Sequence, residues 1–354
     1  MNYNLQIQKI LLAVDNAANI LDKIKLQKQA VSIADSHNDL DWGYELRGDL
    51  MYLEKGTSQC IESIPAFTWM LDVVDNNPDL FDESEILSKY RWMIVAVGRN
   101  ADFTLDQIHN IREDYRRRMY KNGHGVYTFY NEMFRWFLET GNADLARKHQ
   151  ELRDKEQPDT ISYCEACSVN LDVEIELLAG NFDKAITLAD DLLTERVTCY
   201  YEPFSVLSKL VYYLLKRRDK RAEIYYQKAE EALSQQESGE SYSLQSISYL
   251  IFYNALFNPD RGWELFERYS VWDINAEDYS SFYFSVNLLP LFRRKEERSL
   301  SLNPELSYFK EDNMYNSEEL YLYYREKAKE LADKFDKRNG NSYFTDTFNN
   351  IESF

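Results

Sequence analysis

The scarcity of turn-forming residues constrains this chain more than any other feature. Only 11 Gly and 7 Pro occur in 354 residues, about 5% where an average chain has roughly 12%. Tight turns draw on Gly for positive φ and on Pro for a fixed φ, so a fold made of many short strands has too little to build from. Long helices with short connections are expected, which gives an all-α fold.

The turns that can be identified are evenly spaced. Candidate inter-helix turns fall at Gly56, Gly98, Gly141, Gly180, Arg217 and Asn258, at intervals of 42, 43, 39, 37 and 41 residues. One helical hairpin of a repeat array occupies about 34–47 residues, so each interval holds one pair of helices. In three units an alanine follows the turn at a fixed offset of five: Ala146, Ala185 and Ala222. A small side chain there lets the second helix of a hairpin approach the first closely. The predicted organisation is one continuous domain, with residues 1–35 as an N-terminal helix or hairpin, 36–295 as about six hairpins, and 317–354 as a capping helix and tail. Ser317, Glu318 and Glu319 open that last helix and Asn339-Gly340 stops it. The stretch from Glu296 to Asn316 reads as a long loop.

The segments FRWFLETGNADLA (Phe134 to Ala146), IELLAGNFDKAITLA (Ile175 to Ala189) and YYLLKRRDKRAEIYYQKA (Tyr212 to Ala229) each carry bulky residues, a turn, then alanine. In this they resemble the tetratricopeptide-like helical repeat class, which implies a right-handed superhelix of antiparallel hairpins, an α-solenoid. The span from Thr104 to Leu233 is similar to a bacterial group of tetratricopeptide-repeat proteins. That similarity rests on DQIHNIREDYRRRMYKNG, Pro158-Asp159 followed by CEAC, and Cys199 with Glu202-Pro203; FDKRNGN extends it toward the C-terminus. The resemblance implies no catalytic residue.

Charge narrows the partners. With 41 Lys and Arg against 60 Asp and Glu, the net charge is −19. Nucleic-acid readers neutralise phosphates with a basic face, and anionic membranes attract basic segments, so neither is an expected partner. Four cysteines are too few for a disulfide framework and point to a reducing, cytoplasmic compartment. The opening residues lack the basic region and cleavage site of a secretory signal, and no apolar stretch approaches the roughly 20 residues of a membrane span. A soluble protein is expected.

One motif has metal-ligand spacing. Cys164 and Cys167 stand three apart, and Cys199 with Glu202 could complete a four-ligand zinc set. The same pair could act as a redox dithiol, or the two cysteines could pack under a neighbouring turn as small core residues. The core reading is the one adopted, with no cofactor expected. The histidines, His37, His109, His124 and His149, show no ligand spacing, and no phosphate loop or nucleophile elbow is present.

Aromatic residues make up 15% of the chain, with 27 Tyr among them. Tyrosine suits both helix seams and semi-exposed recognition surfaces. Stacked hairpins expose a long concave face, so the leading expectation is a non-enzymatic protein- or peptide-binding module acting as an adaptor or regulator. The first helices of the central units would line the groove, with Tyr130, Trp136, Asn170, Glu174, Ser205 and Lys209 as contacts. Two alternatives come from other classes: a metal-dependent or thiol enzyme centred on the cysteines, and an acidic inhibitor or immunity protein that neutralises a basic partner.

Overall fold

The computed structural model describes residues 2–55, 57, 60–199, 202–235 and 244–354. The first helices are α1 (Tyr3–Asn16), α2 (Ile20–Ser36), α3 (Leu40–Lys55), α4 (Ser63–Asn76), α5 (Glu83–Arg99) and α6 (Leu105–Lys121). The central ones are α7 (Tyr127–Glu139), α8 (Ala143–Arg153), α9 (Glu165–Leu178), α10 (Phe182–Leu193), α11 (Phe204–Lys216) and α12 (Arg221–Gln235). The last are α13 (Leu244–Phe257), α14 (Pro259–Tyr269), α15 (Asp278–Phe292), α16 (Ser317–Asn339) and α17 (Tyr343–Glu352). The fold is all-α. Among the described residues the strand content is one short antiparallel ribbon, β1 (Glu297–Ser299) with β2 (Met314–Asn316), in which Arg298 faces Tyr315, together with an isolated bridge between Cys199 and Glu202.

With glycine scarce, other residues take over its work. Asn38, Glu195, Arg218, Asn275, Lys295 and Asn313 all adopt positive φ, a conformation that costs a side-chain-bearing residue roughly 1–2 kcal/mol. Asn2, Asn19, Asp82, Asn142, Asn258 and Asn316 each cap a helix by accepting a first-turn N–H, and Thr104 with Gln107 forms a reciprocal capping box.

From α5 to α15 the odd-numbered helices touch in succession and form one layer, here called the first-helix layer; each also packs on the helix that follows it. The succession returns on itself, because α15 also touches α5. The largest core runs from α9 to α17 and includes the fully buried Phe252, Phe266, Phe282, Phe292 and Phe335. Helices α13 and α15 are buried almost all round, as befits core helices.

Ala146, Ala185 and Ala222 are buried at the hairpin contacts, at 0%, 0% and 3% exposure. Each interval between the remaining candidate turns holds two helices. Gly98, however, lies inside the last turn of α5, and the chain turns after it. A Cβ at Gly98 would come within 3.1 Å of the Trp136 ring, so this glycine serves close helix approach. Gly56 lies outside the described residues. The N-terminal segment is a hairpin, α1 with α2. The Glu296 to Asn316 stretch is more ordered than a loop: β1 and β2 bracket the buried Leu300, Leu302 and Leu306. Asn316, one residue before Ser317, is the actual cap of α16, and Gly340 ends that helix at φ 69°. The residues beyond Gly340 are not a tail but a further helix, α17, whose Phe344, Phe348 and Ile351 enter the core.

Gly141 and Gly180 both sit at positive φ, 75° and 78°, but their surroundings differ. A Cβ at Gly141 would strike the Tyr343 ring, with the Tyr343 Cβ only 2.7 Å away, whereas nothing lies within 4 Å of one at Gly180. Gly180→Ala should therefore cost only the backbone strain, about 1 kcal/mol. Gly141→Ala should cost about 2–4 kcal/mol because α17 must also shift. Urea denaturation of the two variants will rank them.

Glu176 is 1% exposed and accepts from Arg147, Lys184 and Asn181. Burial pushes its carboxyl up, but the three donors outweigh burial and hold it at about 2 against an ordinary 4.5. A depressed folded-state pKa stabilises above the unfolded value and loses that stability as pH falls through the folded one. Arg147 and Lys184 are partly solvated, at 33% and 62%, which screens the effect to about 1–2 kcal/mol. The wild type should lose this increment between about pH 5 and pH 2, and Glu176→Gln should flatten the stability profile in that window.

Candidate functional site

Four of the six sequence-predicted contacts meet in one polar cluster. Asn170 and Glu174 are one helical turn apart on α9, and Ser205 and Lys209 are one turn apart on α11, so each pair shares a helix face. The two faces meet in parallel register. Asn170 Nδ2 donates to Ser205 Oγ at 2.8 Å, and Lys209 Nζ donates to Glu174 Oε2 at 2.6 Å, both across 35 residues. Lys209 Nζ also reaches Asn170 Oδ1 at 2.8 Å. Glu202, in the turn before α11, accepts from Asn170 Nδ2 and from the Val206 N–H at 3.0 Å. Burial pushes the Glu202 carboxyl up to about 7, with the Lys209 charge opposing it.

The other two contacts are elsewhere. Trp136 is 8% exposed, with the guanidinium groups of Arg112 and Arg338 4.1 and 5.2 Å from its ring centroid. It is a packing element. Tyr130 lies against Phe129 and His149 on the α7–α8 side.

The first-helix layer carries further charged groups that sequence reasoning missed. Arg99, at the end of α5, donates to Glu139 of α7 at 2.6 Å and to Glu277, just before α15, at 2.9 Å. Burial and the two carboxylates act on Arg99 in opposite directions, and the carboxylates win, raising it well above its ordinary value. Burial pushes up both acids, but Glu139, which takes both Nε and NH2 of the guanidinium, is held below the ordinary carboxylate range. Glu277 stays above it. Tyr163 lies beneath both Arg91 and Arg135, with ring distances of 4.2 and 4.7 Å. Tyr283 and Tyr343 bring α15 and α17 together through their hydroxyls at 3.3 Å. Glu139 stands in the very segment that carries the repeat pattern, yet Glu277, which shares Arg99 with it, is 138 residues away and no local signal joins them.

The third element is the cysteine motif. Cys164 occupies the cap position of α9, Cys167 its first turn, and Cys199 the turn that leads into α11. The three Sγ atoms lie within 4.8 Å of one another, with Cys167 and Cys199 at 3.8 Å. None is in a disulfide. Cys164 is exposed, and Cys167 and Cys199 are partly exposed; Cys199 packs against the largest core, so the core reading describes Cys199 but not Cys164. Glu202 is not in the sulfur cluster, because its carboxylate is turned toward Asn170 and the Val206 amide. Cys60 is buried alone and far along the chain.

The basic run at Arg116 to Arg118 is absorbed internally. Arg118 is buried among Asp75, Glu83 and Asp114, and Arg116 and Arg117 pair with Glu113 and Asp114 on their own helix. Among the described residues no helix is long and apolar enough to cross a membrane.

Removing Arg99 strands two buried carboxylates, a loss of about 3–5 kcal/mol. Arg99→Ala should lower the melting temperature sharply, and adding Glu277→Gln should restore part of the loss; thermal melts of the single and double variants test this.

No protein-family model, curated protein or solved structure matches this chain.

Proposed function

We propose that the chain is a tetratricopeptide-like, right-handed array of helical hairpins that works without catalysis, holding a peptide segment of a partner protein against its first-helix layer. The observation that carries this is the parallel register of α9 and α11. Equivalent positions meet at a constant offset of 35 residues, close to the length of one hairpin unit, and they present an amide, a carboxylate, a hydroxyl and an ammonium along one strip. Asn170 sits at its centre; its two amide hydrogens go to Glu202 and Ser205 and its Oδ1 accepts from Lys209, so an extended backbone would bind by exchanging its N–H and C=O groups for these internal bonds.

Two further features bear on the reading. Lys209, Glu174, Arg99 and Glu139 retain 12%, 11%, 22% and 12% side-chain exposure and Asn170 as a whole only 6%, so the strip is nearly buried, with Arg99 its most exposed group. The segment best able to occupy a groove in cis, Glu296 to Asn316, lies elsewhere: Glu296 accepts from Trp263 at 2.7 Å and Tyr308 bonds Tyr324 at 2.6 Å, which fixes it on α14 and α16. The cations of the strip are paired with carboxylates, so affinity would come from backbone hydrogen bonds and tyrosyl contact rather than net charge, and would vary little with salt. An acidic inhibitor would show the opposite, a steep salt dependence of its association rate.

Panning short random peptides on the full chain tests the proposal. Selected peptides should bind the wild type and lose about tenfold or more in affinity on Asn170→Ala, with no loss on the surface variant Glu113→Ala. They should also raise hydrogen-exchange protection in α9 and α11. Failure to enrich any peptide, or equal binding to Asn170→Ala, overturns it.

A further inference from the structure

Three reduced thiols meet at the start of α9, at a spacing that fits a metal as well as thiol–thiol contact. A disulfide requires sulfurs about 2.05 Å apart. Cys167 and Cys199 stand at 3.8 Å, and that is the separation of two sulfurs on one tetrahedral metal: metal–sulfur bonds of about 2.3 Å give tetrahedron edges of about 3.8 Å. Cys164 completes a triangle in which every edge is within 4.8 Å. Three sulfur ligands suit zinc rather than the hard cations that take oxygen.

We propose that Cys164, Cys167 and Cys199 bind one zinc ion as thiolates, leaving a fourth coordination position for solvent or an added ligand. Two local features favour this. The sulfurs sit at the N-terminus of α9, where the first-turn N–H groups and the helix dipole stabilise negative charge, and Cys164, at the cap position, makes no side-chain cap bond. Cys199 is tied to Glu202, whose N–H donates to the Cys199 carbonyl at 3.1 Å and whose carboxylate is anchored to Asn170. Among the described residues no other Cys, His, Asp or Glu joins the three sulfurs, and Glu202 is committed elsewhere. Binding releases the thiol protons to solvent, and no oxidant is involved.

Position gives the metal a structural consequence. Cys167 is one helical turn before Asn170, and Cys199 is three residues before Glu202. Zinc would therefore clamp the turn before α11 onto α9 at the end of the strip formed by Asn170, Glu174, Ser205 and Lys209, and so hold that strip in register. The site stands whatever the strip binds.

The test uses the full chain purified under reducing conditions. Titration with Co2+ should give thiolate-to-cobalt charge-transfer absorption and the intense visible bands of a tetrahedral site, saturating at one equivalent and displaced by Zn2+. Cys60→Ser should leave both unchanged. Cys167→Ser and Cys199→Ser should weaken zinc binding by more than the about 10–100-fold typical of outer-shell changes. Chelation should lower the melting temperature of the wild type and of Cys60→Ser but not that of Cys167→Ser. Should the variants fail to fold, mercurial titration of the wild type should release one zinc per chain into a colorimetric indicator. Absence of the charge-transfer band with all thiols reduced, release of no zinc, or equal metal binding by Cys60→Ser and Cys167→Ser overturns the assignment.

Discussion

Arg99 is the interaction on which the arrangement of the first-helix layer depends. Its guanidinium holds Glu139, 40 residues on, and Glu277, 178 residues on, and so joins the middle of the chain to the last helical pair of the layer. Such a triad stands only because each polar group is satisfied; a buried charge without its partner costs several kcal/mol. The C-terminal helices reinforce the same joint. Arg338 donates to the Asn100 carbonyl and Asn341 to the Thr140 carbonyl, both at 2.8 Å, and the Ala101 N–H donates to Asp278 at 2.7 Å. Closing so long a loop is tolerable because its entropy cost grows only logarithmically with length.

Once the layer is closed, its polar groups face one another rather than bulk water. Lys209 answers Glu174, and Asn170 joins Ser205 and Glu202. Polar groups of this kind are stable in a nearly buried setting only when fully hydrogen-bonded. The network is therefore structural, and under the proposed function a peptide would exchange with the internal bonds of the strip. The thiol cluster lies at one end of that strip, on the same two elements, so a metal there and a ligand on the strip would act on the same α9–α11 contact.

Much of the fold was legible along the chain. The spacing of Gly141, Gly180, Arg217 and Asn258 marked real helix ends, and the alanines five residues after three of them are buried where hairpins meet. Position on the first helices of the central units pointed to Asn170, Glu174, Ser205 and Lys209, which do assemble. Trp136 lies apart from those four: it is 8% exposed, with the guanidinium groups of Arg112 and Arg338 over its ring, and Arg338 comes from α16, which no local signal joins to α7. The residues after Gly340 were expected to form a tail; Phe344, Phe348 and Ile351 make them a helix once a core exists to receive them.

Local chemistry determined the helices, because scarce glycine, capping side chains and a 3.6-residue apolar period act within a few residues of chain. The same range also placed Cys164 and Cys167 one turn apart. What tertiary structure alone decided is everything that joins distant segments: Arg99 with Glu277, Tyr343 over Gly141, and Cys199 beside Cys167. These contacts depend on how helical pairs stack and on where the chain returns to itself. No residue's own neighbours in sequence carry that information.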